Sequence, residues 1–231
     1  MKKEDGFTII ELLIASIAFT LLLILVTTIV IQVSKVYYKG VILSNTQNVT
    51  SAIVQDVSKN IQFGLGSSNF SPPPTSPTSS GINIYCIGSA VFIYKLGQEF
   101  NNSSGNSIGV LYNSSSSCPS LGNSSSINVS NYIPQGYQEL LSPNMRIINF
   151  TVNQQQPFPL YNISIGVAFG SDQSLCNSNV TNSCTDQNAM DTVKNYANYT
   201  GTSVQCKLQQ GDQYCATSYL NTTVANEYNL N

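Results

Sequence analysis

Histidine is absent from this 231-residue chain. Its absence excludes Ser-His-Asp and Cys-His catalytic arrangements and His-ligated metals, and with them most hydrolase and metalloenzyme chemistry. Charge is scarce too: Asp, Glu, Lys and Arg make up 9% of the residues and leave a net charge of -2, against roughly 25% charged residues in ordinary soluble domains. No run of basic residues occurs, so a surface built on phosphate neutralisation is unsupported and no nucleic-acid partner is expected. Uncharged Asn, Ser, Thr and Gln supply the polarity instead. Gly-rich stretches such as Gly64-Leu65-Gly66 lack the Lys-Ser/Thr ending of a nucleotide loop and read as linker. Tryptophan is also missing, and the 13 tyrosines fit core and strand packing; Tyr112, Tyr132 and Tyr137, set among polar loops, are candidates for contact with a partner.

The six cysteines, Cys86, Cys118, Cys176, Cys184, Cys206 and Cys215, include no C-x-x-C pair. Scattered thiolates without histidine make a poor zinc site, whereas an even number fits disulfides formed in an oxidising compartment. Six cysteines allow 15 connectivities. Local closure gives Cys86 with Cys118, Cys176 with Cys184 and Cys206 with Cys215, each loop contributing about 2 to 4 kcal/mol by the chain-entropy estimate. Sequons occur at Asn48, Asn149 and Asn162, among others; chance alone produces them in a chain this rich in Asn, Ser and Thr, so glycosylation is not assigned.

What is present in excess lies at the N-terminus. Leu12 to Ser34 is free of charge, and as a helix these 23 residues span roughly 35 Å, enough to cross a bilayer core. The run is longer than a secretory h-region, and the Gln32-Val33-Ser34-Lys35 that ends it is no small-residue cleavage site. Lys2 and Lys3 before it balance Lys35 and Lys39 after it, so the positive-inside count is a tie. The cysteines break the tie by placing the C-terminal side outside and the N-terminus in the cytoplasm. Glu11 is the anomaly, because a carboxylate costs about 2.5 to 3.5 kcal/mol at mid-bilayer and somewhat less near the interface.

The pattern Lys2-Lys3-Glu4-Asp5-Gly6 followed by Phe7-Thr8-Ile9-Ile10-Glu11-Leu12-Leu13-Ile14-Ala15 resembles the N-terminal signature of type IV prepilins and type II secretion pseudopilins. The resemblance covers about 30 residues at the start of the chain. It implies cleavage by a prepilin peptidase between Gly6 and Phe7, N-methylation of Phe7, and assembly through Glu11, whose carboxylate neutralises the Phe7 amine of its own or a neighbouring subunit. Pairing of this kind offsets the several kcal/mol that a lone buried charge costs. Thr20 and Thr28 depart from the pattern, since major pilins of the best-known subclass carry Gly and Pro there. More loosely, Ile84 to Leu96 and Glu139-Leu140-Leu141-Ser142-Pro143-Asn144-Met145 are similar to large minor pilins and J-type pseudopilins. Some pseudopilins bind calcium, but Asp172, Asp186, Asp191 and Asp212 do not follow a calcium-loop spacing and read as solvated loop acids.

No proline precedes Pro72, and Ile42, Val49, Ile53 and Val57 fall on one helical face. One helix over about Phe7 to Ile61 is expected, with a break at Gly40 as the alternative. Period-2 alternation marks strands at Tyr161 to Phe169 and through Ile148, Phe150 and Val152, with a hairpin loop over Asn153 to Leu160. Ile82 to Cys86 and Ala90 to Leu96 read as a second pair around Gly88-Ser89. Asn101 to Ser107 and Asn113 to Ser126 read as surface loops, and Asp186 to Tyr199 as a short helix.

The fold class is therefore α+β, a long N-terminal helix packed on a mainly antiparallel β-sheet head. The divisions are residues 1–6 as leader, 7–34 as the membrane and filament-core half of the helix, 35–63 as its amphipathic half, 64–81 as a Pro/Ser-rich linker, and 82–231 as the disulfide-containing head. The expected role is structural: a minor pilin without enzymatic activity, cofactor or metal. It would sit in the cytoplasmic membrane before assembly and in an extracytoplasmic filament after it, with adhesion, motility or DNA uptake as its biology. Its partners would be other pilin or pseudopilin subunits, the prepilin peptidase, an inner-membrane assembly platform and the lipid bilayer. A type II secretion pseudopilin and a membrane-anchored extracytoplasmic enzyme or receptor are the alternatives.

Overall fold

The computed structural model describes residues 8–64, 82–87, 89–100, 109–114, 136–155, 159–171, 174–177, 200–207 and 214–227. The expected leader, most of the linker, the short helix at Asp186 to Tyr199, and most of the loops at Asn101 to Ser107 and Asn113 to Ser126 lie outside them.

Helix α1 runs unbroken over Ile9–Phe63, 55 residues, or roughly 80 Å at 1.5 Å per residue. It passes through Gly40, because one helical glycine costs only about 1 kcal/mol against alanine and no proline interrupts the segment. The buried face comprises Thr46, Thr50, Ile53, Val57 and Ile61. Ile53 and Val57 were expected there, while Ile42 and Val49 are only half-buried. The threonines fit the apolar stripe because each hydroxyl is returned to the helix itself: Thr46 Oγ1 donates to the Ile42 carbonyl at 2.8 Å and Thr50 Oγ1 to the Thr46 carbonyl at 2.7 Å. That leaves a methyl group facing the core.

The head is antiparallel throughout its described strands. Strands β1 (Ile82–Ile87), β2 (Ala90–Lys95), β3 (Val110–Asn113) and β4 (Gln138–Glu139) pair in that order as one sheet. A second sheet has the order β5-β6-β9, from β5 (Met145–Gln155), β6 (Leu160–Phe169) and β9 (Ala216–Ala225), and β7 (Leu175–Asn177) pairs with β8 (Val204–Cys206). Helix α1 packs chiefly against β6 and β9.

Three differences from expectation have local causes. The β5-β6 ladder continues through Asn153 opposite Asn162 to Gln155 opposite Leu160, which shortens the loop expected over Asn153 to Leu160; exposed polar side chains are no obstacle to backbone pairing. A bulge between Ile147 and Asn149 shifts the β5 register and reverses the alternation. Met145 and Ile147 thus join Phe150 and Val152 in the main core, while Ile148 turns to a small cluster with Ala168, Leu175, Val204 and Cys215. Third, β3 lies between the two stretches read as loops, reaching the second only at Asn113, and β9 was not expected at all: its Asn, Ser and Thr content hides a strand whose ten residues all pair with β6.

The two larger sheets meet at Phe150. Its ring stacks on Tyr94 at 4.4 Å and meets Tyr85 at 5.8 Å and Phe92 at 5.9 Å, so one β5 side chain contacts both β1 and β2. Tyr137, read as a candidate partner contact, is buried against β1 and β2, and Tyr112 packs on Phe92; Tyr132 lies outside the described residues.

Arg146, the single arginine of the chain, is fully buried on β5. Its guanidinium donates to the carbonyls of Gly97 at 3.2 Å and Gly170 at 2.9 Å and pairs with Glu99 at 3.1 Å. The segment after β2 is bound to β5 by backbone bonds as well, Gly97 N–H to Ile147 O at 2.8 Å and Phe100 N–H to Met145 O at 2.7 Å. Arg146→Ala should therefore lower unfolding free energy by about 3 to 5 kcal/mol, since it leaves the other groups of a buried cluster without the cation. Denaturant unfolding of the detergent-solubilised protein measures this, and a loss below about 1 kcal/mol would contradict the role.

Burial pushes the phenols of Tyr85, Tyr94 and Tyr161 upward and that of Tyr219 up to about 12. Raised phenol values mean that the fold favours the neutral ring. The stability this gives is complete below the unfolded value of about 10 and is lost as pH rises toward the folded values. An alkaline titration followed by phenolate absorbance should show exposed tyrosines ionising first and these four ionising together with unfolding. Their ionisation at about pH 10 in the folded protein would refute it.

Candidate functional site

The functional candidates concentrate at the free end of α1. Thr8 occupies the N-cap in an extended conformation, φ -80° and ψ 149°. The Glu11 N–H donates to Thr8 Oγ1 at 3.3 Å, and Glu11 Oε2 accepts from both the N–H and the hydroxyl of Thr8 at 3.1 Å. This capping box satisfies two of the backbone donors a helix start leaves open. It also places a carboxylate in the first turn, where the helix dipole favours negative charge. Reasoning that read Glu11 only as a partner for the Phe7 amine missed Thr8, although Thr-x-x-Glu ahead of an apolar run was the signal. Gly6 and Phe7, the expected cleavage and methylation positions, lie outside the described residues.

Every residue from Thr8 to Val41 is exposed. From Ile9 to Leu43 the helix presents 22 large apolar side chains to solvent. Burying one such side chain is worth about 1.5 to 3 kcal/mol, so covering this surface is worth several tens of kcal/mol. α1 is long and apolar enough to cross a membrane by length and composition.

The hydroxyls within the charge-free stretch are internally satisfied. Ser16 donates to Leu13 O, Thr20 to Ile17 O, Thr27 to Leu23 O, Thr28 to Leu25 O and Ser34 to Val30 O, all at 2.7 to 2.8 Å. A lipid-facing segment requires that its polar groups be matched without water. Thr20 and Thr28, where the resembling major pilins carry Gly and Pro, here bond back to an unbroken helix.

Cys206 and Cys215 form a disulfide, with Cα atoms 5.8 Å apart. It ties β8 to the residue preceding β9, as local closure anticipated. Cys86 and Cys176 are also disulfide-bonded; Cys118 and Cys184, assigned to them from sequence, lie outside the described residues. So do Asp172, Asp186, Asp191 and Asp212. Among the described residues no cluster of His, Cys, Asp and Glu is arranged to hold a metal.

Two further polar side chains matter to the architecture and were not singled out. Glu139 accepts backbone N–H bonds from Gly109 at 3.1 Å, Val110 at 2.7 Å and Leu141 at 2.9 Å, which fastens β4 to the start of β3. Burial pushes its carboxyl above the usual range, and the N–H donors pull against that rise. Tyr214, just ahead of β9, sits with its ring 6.4 Å from that of Tyr38 on α1, a meeting that no sequence pattern announces.

Comparison with protein-family models, with curated proteins and with solved structures finds no match to this chain.

Thr8→Ala should destabilise the helix start by about 0.5 to 2 kcal/mol, seen as faster amide exchange at Glu11 and Leu12 in detergent with the head unaffected. Unchanged exchange there would mean that the cap does not hold the first turn.

Proposed function

We propose that the chain is a structural subunit, a minor pilin of a type IV pilus-like filament, made as a prepilin and cut between Gly6 and Phe7. The observation that carries this reading is the division of one continuous helix. Its last third lies under a β-rich head, and the charge-free residues 12–34 ahead of it are exposed on every side and follow a capped, acid-bearing first turn. A helix apolar all round is stable when surrounded by lipid or by other helices. A subunit that moves from bilayer to filament core needs the same surface in both places. In this reading Glu11 positions the subunit against a cation in the stack, the disulfide-closed head faces outward, and the partners are like subunits, a prepilin peptidase and a membrane assembly platform. The role is structural rather than enzymatic.

Co-expression with a prepilin peptidase tests the first step: the mature protein should begin at Phe7, and persistence of residues 1 to 6 would sink the prepilin reading. Variants of Glu11 test the second. Gln keeps the capping box, since both Glu and Gln close it, but carries no charge. If charge pairing drives assembly, Glu11→Gln and Glu11→Ala should both be processed normally and both be lost from filaments. Incorporation of Glu11→Gln at the wild-type level would show that the cap alone suffices.

A further inference from the structure

The apolar surface of α1 is longer than a bilayer core. Large apolar side chains are exposed from Ile9 through Leu43, a rise of roughly 50 Å, against about 30 Å of hydrocarbon and 40 to 45 Å with both headgroup layers. The charge-free residues 12–34 fill the hydrocarbon. Residues 35–43, roughly 13 Å of helix, remain.

Their composition changes in a definite way. Lys35, Tyr37, Tyr38 and Lys39 follow directly on the charge-free run, and Tyr37 and Tyr38 are 69% and 54% exposed. A groove on this stretch is lined by Val36, Tyr37, Gly40 and Val41 at one end and by Ser44, Asn45 and Asn48 at the other. It grades from apolar to polar in the direction leading away from the span. The head adds to the same level: Tyr214 is distant in sequence, lies with its ring 6.4 Å from that of Tyr38 and is 55% exposed. Amphipathic aromatic rings favour the headgroup level, where the ring is shielded and the hydroxyl stays wet, and lysines there meet lipid phosphates.

We infer that Lys35 to Leu43 and Tyr214 together form an interfacial collar that seats the head on the phospholipid headgroup layer. The inference rests on the reading of residues 12–34 as a membrane span and adds the head as a second point of contact. Its occupant is the bilayer surface, since the collar is continuous with the span and carries the cations and aromatic rings that this layer selects.

The absence of tryptophan permits a direct test in the full chain. Single variants Ile24→Trp, Tyr38→Trp, Tyr214→Trp and Phe63→Trp are reconstituted, one protein per nanodisc, in phosphatidylglycerol bearing nitroxide quenchers at the headgroup or in mid-chain. All four sites are exposed, so the substitutions do not disturb the core. Expected are quenching of position 24 by the mid-chain label, quenching of 38 and 214 several-fold more by the headgroup label, and neither label affecting 63. If 24 is quenched but 38 or 214 is not, the collar is overturned while the span stands. A blue-shifted but unquenched 38 also overturns it, in favour of cover by protein. No quenching at 24 overturns the span beneath it.

Discussion

A helix longer than the head that covers it is the constraint on which the rest of this molecule depends. From Ile9 to Val41 the helix is exposed on every side and is almost entirely apolar, a condition with no stable solution in water. Several local choices follow from it. Each hydroxyl between Leu12 and Ser34 bonds back to a carbonyl three or four residues earlier, so the stretch presents few polar groups that call for water. Where the helix enters the head the same device recurs at Thr46 and Thr50, now to let a threonine occupy a core position. One chemical habit thus serves two environments along a single element.

The head solves a different problem, that of joining two sheets in a chain poor in charge. Phe150 supplies the apolar contact, with three aromatic partners from β1 and β2. Arg146 supplies the polar one, drawing the carbonyls that follow β2 and β6 to a single guanidinium. A buried cation is seldom more stable than a well-packed apolar side chain. What Arg146 adds is direction: the N–H donors of a planar guanidinium point in fixed directions, and those of its two terminal nitrogens meet Gly97 O, Gly170 O and Glu99 at once. At the far side Tyr219 does a related job, its hydroxyl 2.9 Å from the carbonyls of both Gly201 and Val204, while its ring packs at Gly166, where a Cβ would lie 2.7 Å from it.

Much of this was legible in the sequence where periodicity is strong. The helix, the β1-β2 pair and the core face of β6 follow from spacing alone, because apolar residues recur there without interruption. Legibility failed where a polar residue takes an apolar residue's place or where geometry shifts the count. Thr46 and Thr50 look like solvent-facing residues until their hydroxyls are seen to be satisfied. The β5 bulge moves Ile148 to the opposite face, which no count of alternate residues reveals. Strand β9 is rich in Asn, Ser and Thr and so carries no clear alternation, though its ladder to β6 is complete. At the helix start the acid was conspicuous and its partner was not: Thr8 is an ordinary residue by composition and a decisive one by position.

That pairing also resolves an apparent conflict over Glu11. A side chain committed to capping its own helix would be a poor choice for binding a neighbour, yet both Thr8 bonds fall on one oxygen, Oε2. An ionised carboxylate offers roughly four acceptor directions over its two oxygens, so the cap uses about half of them. The remaining capacity is held in a fixed orientation by the cap itself, because the Thr8 bonds fix where Oε1 stands relative to the helix axis. In a stack of such helices a cation arriving from an adjacent N-terminus would meet a preoriented acceptor and lose less side-chain freedom on pairing than with a mobile glutamate. If the chain assembles as proposed, capping and assembly would be successive uses of one geometry, the first preparing the second.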